Sequence, residues 1–184
     1  MVPAPEDCEL EEDRFLRMSK DANLRADIKG FLEVFAEERR RSPIAVKMAK
    51  EHDVTNNDVR YMYWMQAKNL PKYEAPFQKC ILSYLSDLYF IGTISRIIGL
   101  KRHSKGPNAV AMTSTIDHSL WFYSDSFDCG DWLLYVMTCP RAGSGRGVMH
   151  GQIYSRDGTL VAIASQEGVT RADVRAPEET KAKL

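Results

Sequence analysis

At 184 residues, with 44% hydrophobic and 27% charged content, the chain is long enough for one domain with a packed core plus extensions. Lysine plus arginine and aspartate plus glutamate each number 25, so the formal net charge is zero. That balance excludes a general pull toward nucleic acid or anionic membrane and leaves only a local basic patch for one phosphorylated ligand. No run approaches the roughly 18 apolar residues of a membrane span.

The acidic residues 6–13 argue against a secretory leader. Cys8, Cys80, Cys129 and Cys139 show neither a CxxC nor a paired spacing with histidine, so they read as reduced thiols with no metal site among them. Residues 1–23 open on VPAPEDCELEEDR, whose two prolines and six acids predict a solvated, extended lead-in. From Leu24 to Arg41, residues Leu24, Ile28, Phe31, Leu32 and Phe35 recur at helical spacing, weakened by Gly30 and stopped by Ser42-Pro43. Ile44, Val46 and Met48 alternate as a short strand. The next strand, VRYMYWMQ (59–66), has no polar face and is expected to be covered on both sides. Asn69-Leu70-Pro71 turns the chain.

Residues 75–98 form the longest apolar segment. Phe77, Cys80, Ile81, Tyr84, Leu88 and Ile91 predict one buried central helix with Asp87 on its apolar stripe. The basic loop LKRHSKGPN follows. Then come a strand at 111–123, bent near Asp117-His118, and a meander of strands at 131–138, 145–154 and 159–168. The links AGSG and RDG suit tight hairpins. Two strands, a long helix and four strands give an α+β layout in which one antiparallel sheet wraps one helix. Trp64, Trp121 and Trp132 read as core aromatics.

Three residues are polar where their elements are apolar: Asp87, Thr115 and Gln166. In LVAIASQEGV (160–169), Leu160, Ala162 and Ala164 share a face with Gln166, which ends the strand's apolar run. A primary amide in such a wall costs free energy unless its donor and acceptor are matched. If the sheet curls about the helix, the three converge. A carboxylate stripped of bulk water would then act as base on a water steadied by a hydroxyl and an amide. The bland alternative is that each makes a local structural hydrogen bond. Asp117 and His118 face opposite ways on a regular strand, and no GxSxG elbow supports a serine triad. GSGRG (143–147) lacks a GK[ST] ending and reads as a hairpin. The run Lys101 to Lys105 reads as a solvated loop or as a clamp for a ligand's phosphates.

Six blocks resemble the type II acyl-CoA thioesterases: YLSD (84–87), STIDHSLWF (114–122), DWLLY (131–135), GRG (145–147), DGTLVA (157–162) and SQEGV (165–169). The resemblance implies a hotdog fold, a curled antiparallel sheet around a long helix, over residues 43–171. Residues 1–42 become a linker and N-terminal helix, and 172–184 a flexible tail. It implies hydrolysis of fatty acyl-CoA without cofactor, metal or covalent acyl-enzyme, by a water held by Asp87, Thr115 and Gln166. Lys101, Arg102, Lys105 and Arg146 become candidates for substrate binding. Tyr123, Ser124 and Gln78 depart from the family pattern, in which histidines and an arginine are usual.

Family members carry two hotdogs in tandem. The first is missing here, and on this reading Met1 opens a fragment or a shortened product. One hotdog leaves a sheet edge and an apolar flank uncovered, so pairing with a second copy is expected. The alternatives are a non-catalytic module that binds acyl-CoA or mediates assembly, and a hotdog dehydratase using His103 or His118 beside Asp87. The closing Ala182-Lys183-Leu184 imitates a peroxisomal address.

Overall fold

The computed structural model describes residues 2–52, 60–101 and 106–172. The N-terminal residues do not lie extended in solvent. After a short turn at Pro5–Asp7, helix α1 spans Glu11–Ser19 and helix α2 spans Ala26–Arg41. Glu11, Glu12 and Asp13 fill the first turn of α1, where carboxylates meet the positive end of the helix. The acidic run taken for a solvated lead-in is therefore a helix start. Phe15 packs edge-on against Phe35, ring centroids 5.0 Å apart, so α1 and α2 form a hairpin. The Trp64 indole donates to the Pro3 carbonyl at 3.0 Å and the Lys47 ammonium to the Pro5 carbonyl at 2.6 Å. The leading segment thus lies across the first strands and supplies their second cover.

Strands β1 (Ile44–His52) and β2 (Arg60–Ala67) precede the central helices. Strands β3 (Val110–Phe122), β4 (Leu133–Gly143), β5 (Arg146–Tyr154) and β6 (Leu160–Ala172) follow. All join one six-stranded antiparallel sheet in the order β1-β2-β4-β5-β6-β3. The β4–β5 hairpin turns on Ser144 and Gly145, at φ 52° and 75°. Two left-handed residues match the twist of the strands they join, and the GSGRG stretch is a turn as expected. The Asp157 carboxylate closes the next turn, accepting from the Ser155 hydroxyl at 2.6 Å and the Thr159 amide at 3.1 Å.

The central segment is two helices, not one: α3 (Ala75–Asp87) and α4 (Phe90–Ile97). Leu88 is extended and Tyr89 is left-handed, φ 64°. The spacing Leu82, Ser86, Phe90, Ile94 fits an unbroken helix, so periodicity could not reveal the break. The buried face also differs from the expected stripe. Leu82, Leu85, Phe90 and Ile94 are buried, each worth about 1.5–3 kcal/mol. Phe77, Cys80 and Tyr84 lie on the outer face, where Phe77 stacks on Tyr73. Asp87, expected among buried neighbours, is exposed at the end of α3. Trp64 is buried, Trp132 is half-buried beneath the Lys47 ammonium, and Trp121 is exposed, contrary to its reading as core.

Helix α4 is pressed onto β5 and β6. A Cβ at Gly147 would stand 2.5 Å from Ile94 Cγ2, and one at Gly168 would stand 2.7 Å from Ile91 Cδ1. Neither position admits a side chain unless the isoleucine above it or the helix that carries it shifts.

Candidate active site

The break between α3 and α4 brings the end of one helix over the seam between β3 and β6. Asp87 is the last residue of α3. Thr115 lies on β3, opposite Gly168. Gln166 sits in the middle of β6, not at its end, because the strand runs on to Ala172. It is fully buried, on the face that alternation predicted. Gly168, two residues on, leaves the space that the Ile91 side chain of α4 occupies.

A bulge in β3 aims this strand. The register shifts between Thr115 and Asp117, leaving Ile116 as the extra residue. Thr115 and His118 are three apart and would face opposite sides of a regular strand. The extra residue lets both face the helices, one contacting Gln166 and the other Ser86. Asp117 is left to accept from the Glu167 amide at 3.1 Å.

The Gln166 amide nitrogen donates to Asp87 Oδ1 at 2.8 Å and to Thr115 Oγ1 at 2.7 Å. Both of its hydrogens are thereby used. Its Oε1 is buried with no hydrogen-bond partner among the described residues. Asp87 and Thr115 are exposed. The second carboxylate oxygen of Asp87 and the hydroxyl hydrogen of Thr115 are not used by the Gln166 amide. The amide was expected to grip the water itself; here it clips together the two groups that would.

The histidine alternatives fare differently. Ser86 donates its single hydroxyl hydrogen to the Ser83 carbonyl at 2.8 Å, so His118 Nε2, also at 2.8 Å, is the donor to Ser86 Oγ. Ser86 is fully buried as well. That is a structural bond, not an activated nucleophile. His118 is turned to Ser86 and to the edge of Phe90, leaving no couple with Asp87 of the kind a dehydratase needs. His103 lies outside the described residues. The Tyr135 hydroxyl beneath them donates to the Ser86 carbonyl at 2.8 Å, and burial, helped by the Asp87 charge, holds it well above the ordinary phenol range.

Gln78, one of the departures from the family pattern, is structural. Its Oε1 accepts from the Cys129 amide at 2.9 Å and its Nε2 donates to Asp128 at 3.2 Å, pinning the loop before β4 beneath α3. Burial pushes the Cys129 thiol up to about 12, which keeps it protonated.

Of the basic candidates, Lys101 is exposed at the foot of the loop after α4, where its backbone bridges to Ala109. Arg102 and Lys105 lie outside the described residues, as does the tail from 173 with its Ala182-Lys183-Leu184. Arg146 pairs with Glu167 at 3.2 Å. Its strand partner is Val169, on the face opposite to Gln166, so it is not brought to the trio.

Sequence reasoning missed the other side of the break. The Tyr89 hydroxyl donates to Glu11 Oε2 and accepts from the Arg39 guanidinium at 3.1 Å. Its ring stacks on Tyr63 at 5.1 Å. A left-handed tyrosine costs about 1–3 kcal/mol, and these contacts hold it there. Beside them a cavity of about 560 Å³ opens between the helical hairpin and α4, walled by Phe15, Met18, Phe35, Met48 and Ile91, and reaching Asp87. Its size lies in the usual range for small-molecule sites. No sequence signal marked it, because its walls come from six separate elements.

The sequence and the fold are similar to those of known proteins. The family profile of the acyl-CoA thioesterase C-terminal domain matches residues 5–170. Mouse acyl-coenzyme A thioesterase 8 is 31% identical over 188 residues, covering 100% of this chain and 55% of that protein. Acyl-CoA thioesterase 2 of Haemophilus influenzae is 38% identical over 109 residues, covering 59% of this chain and 36% of that protein. An acyl-CoA thioesterase II structure from Mycobacterium marinum superposes with a TM-score of 0.62 at 26% identity, over 74% of this chain and 52% of that one. A hot dog fold protein of unknown function from Alicyclobacillus acidocaldarius superposes with a TM-score of 0.54 at 16% identity, over 95% of this chain and 55% of that one, which speaks to the fold alone. The chain spans about half the length of the mouse relative. With a hotdog sheet and helices, and a profile match running from the N-terminal segment into β6, the chain belongs to the acyl-CoA thioesterase C-terminal domain family.

Proposed function

We propose that this chain hydrolyses fatty acyl-CoA thioesters to free fatty acid and CoA, using a water activated by Asp87 and steadied by Thr115, with Gln166 holding the pair. One observation carries the reading: a single buried amide nitrogen shared between an exposed carboxylate and an exposed hydroxyl. Water oxygen attacks the thioester carbonyl as Asp87 accepts its proton. The carbon–sulfur bond then breaks, and the proton passes to the departing CoA thiolate. The first backbone N–H groups of α4 have no intrahelical acceptor and lie next in the chain after Asp87; they are the natural donors to the developing oxyanion. The largely apolar cavity reaching Asp87 suits an acyl tail. Lys101, with Arg102 and Lys105 beyond it, remains the candidate for the CoA phosphates. The relatives' names, acyl-CoA thioesterases from mouse and Haemophilus influenzae, support the substrate class.

The test is release of free CoA thiol from acyl-CoAs of graded length by the purified chain and by Asp87→Ala. Release by the former and not the latter supports the reading. Thermal stabilisation by acyl-CoA without thiol release would favour the second reading, a binding module, which the exposure of Asp87 and Thr115 on a single chain motivates.

The same proposal includes a partner copy. Strand β3 is a sheet edge, and Met112, Ile116, Trp121 and Tyr123, on and beside it, are exposed. A second chain covering this flank would bury them and seal the trio; a stable monomer at micromolar concentration by light scattering would rule that out. The peroxisomal address is tested by a fluorescent fusion with and without the final tripeptide.

A further inference from the structure

We propose that α1 and α2 brace the catalytic carboxylate, with Tyr89 as a positioning residue that fixes where α3 ends and hence where Asp87 stands. This rests on reading Asp87 as the base. Tyr89 is held from three directions. Its hydroxyl is bound by Glu11 from α1 and Arg39 from α2, its ring lies on Tyr63 of β2, and its backbone opens α4. Only Leu88 separates it from Asp87.

The geometry makes the consequence definite. Helix α4 cannot shift toward the sheet, because Ile91 and Ile94 already fill the space above Gly168 and Gly147. The turn between α3 and α4 is made by an extended Leu88 and a left-handed Tyr89. If Tyr89 left its left-handed angles, the angle between the two helices would change, and with α4 packed on the sheet α3 would move and carry Asp87 off the Gln166 amide. A tyrosine has no intrinsic reason to stay left-handed. What keeps it there is the stack on Tyr63 together with the pair of hydrogen bonds from two helices that contribute no strand to the hotdog. Residues 1–42 are on this view part of the site's support, not a tether.

The test compares Tyr89→Phe, Glu11→Ala and Glu11→Gln. Phenylalanine keeps the ring stack and removes the hydroxyl. Alanine at 11 removes the acceptor from a distance and serves if the Tyr89 variant does not fold. Glutamine restores an acceptor. In thiol-release assays kcat should fall between about 10-fold and 10²-fold in Tyr89→Phe and Glu11→Ala. Glu11→Gln should recover most of it, and Tyr89→Phe combined with Glu11→Ala should be no worse than either alone. Crystal structures of the same variants give a readout that needs no turnover: the 2.8 Å contact between Gln166 and Asp87 should be lost in Tyr89→Phe and Glu11→Ala. A contact kept in both variants overturns the proposal, whatever happens to kcat. Thiol release retained by Asp87→Ala would instead overturn the reading of Asp87 as base, while the crystal contact still decides the brace.

Discussion

Asp87 and Tyr89 are one residue apart in the chain and opposite in their surroundings. Asp87 and Thr115 face outward, tied only at their inner side by the Gln166 amide. The Tyr89 hydroxyl faces inward between Glu11, buried, and Arg39, half-buried. Both clusters are polar, and both depend on the same helix break. A cluster whose members satisfy one another out of water holds a shape. A cluster with oxygens left toward solvent exchanges partners, which is what a hydrolytic site requires. The contrast assigns chemistry to one side and rigidity to the other, and substitutions on each side should separate the two properties.

The largest effect is expected on the open side. Asp87→Ala should lower thiol release about 10²–10⁴-fold. Because the side chain is exposed, the thermal midpoint should stay where it is. A midpoint that fell with the activity would mean that the carboxylate holds the break itself, and the division between the clusters would collapse.

Gln166→Met sharpens the same point. Methionine is close in volume, so packing survives. The amide's two donations disappear, and with them the clip that sets Asp87 beside Thr115; activity should fall about 10²-fold. Stability should hold, or rise by about 1 kcal/mol, because a buried amide oxygen without a partner among the described residues is removed. Urea denaturation read beside thiol release separates the outcomes. A large loss of stability would show the amide to be a structural strut.

How much of this could be read from the sequence differs between the two sides for a physical reason. The trio was legible in part: local pattern picked out a carboxylate in an apolar helix and an amide in a strand of alanines but left a structural reading open, and the family resemblance joined them with Thr115. Alternation placed Gln166 on its correct face, since a period of two leaves no freedom. The order of elements gave an α+β layout with one antiparallel sheet around a helix, and the resemblance of six sequence blocks supplied the hotdog. Tyr89 breaks no pattern. Its left-handed backbone arises from contacts with residues about 50 and 78 positions away, which no local period encodes. The outward turn of Phe77 and Tyr84 was hidden likewise, because two apolar faces on one helix leave the choice to tertiary packing. The bulge at Ile116 was anticipated only as a bend near Asp117-His118.

Gly168→Ala acts where the two sides meet. The added methyl would press on Ile91 at 2.7 Å and on the Ser114 carbonyl at 3.2 Å. The Ile91 side chain must turn, helix α4 lift or β3 move, at a cost of about 1–3 kcal/mol. Both readouts should fall together here, in contrast with Asp87→Ala and Gln166→Met. If activity stayed intact while stability dropped, the junction would be less stiff than the close approach implies.

The smallest effect tests the closed side through pH. Burial pushes the Glu11 carboxyl above its ordinary range, while the Tyr89 hydroxyl and the charges of Arg39 and Arg14 pull it down and lose. A carboxyl raised in the folded state binds its proton more tightly there than in the unfolded chain. The stability it contributes is therefore complete below the ordinary carboxylate value and is lost as pH rises through the folded one, the reverse of a salt-bridged acid. Glu11→Gln does not titrate and keeps an acceptor for Tyr89. The stability of the parent chain relative to this variant should therefore decline as the pH is raised from 4 toward neutrality. Urea midpoints of both proteins across that range measure it. A difference that grew with pH would mean that the arginines outweigh burial and that the cluster is an ion pair, free to open in salt. A decline would mean that the Tyr89 hydroxyl sits in a dry pocket, where a hydrogen bond is strong enough to hold a backbone in a conformation it would otherwise leave.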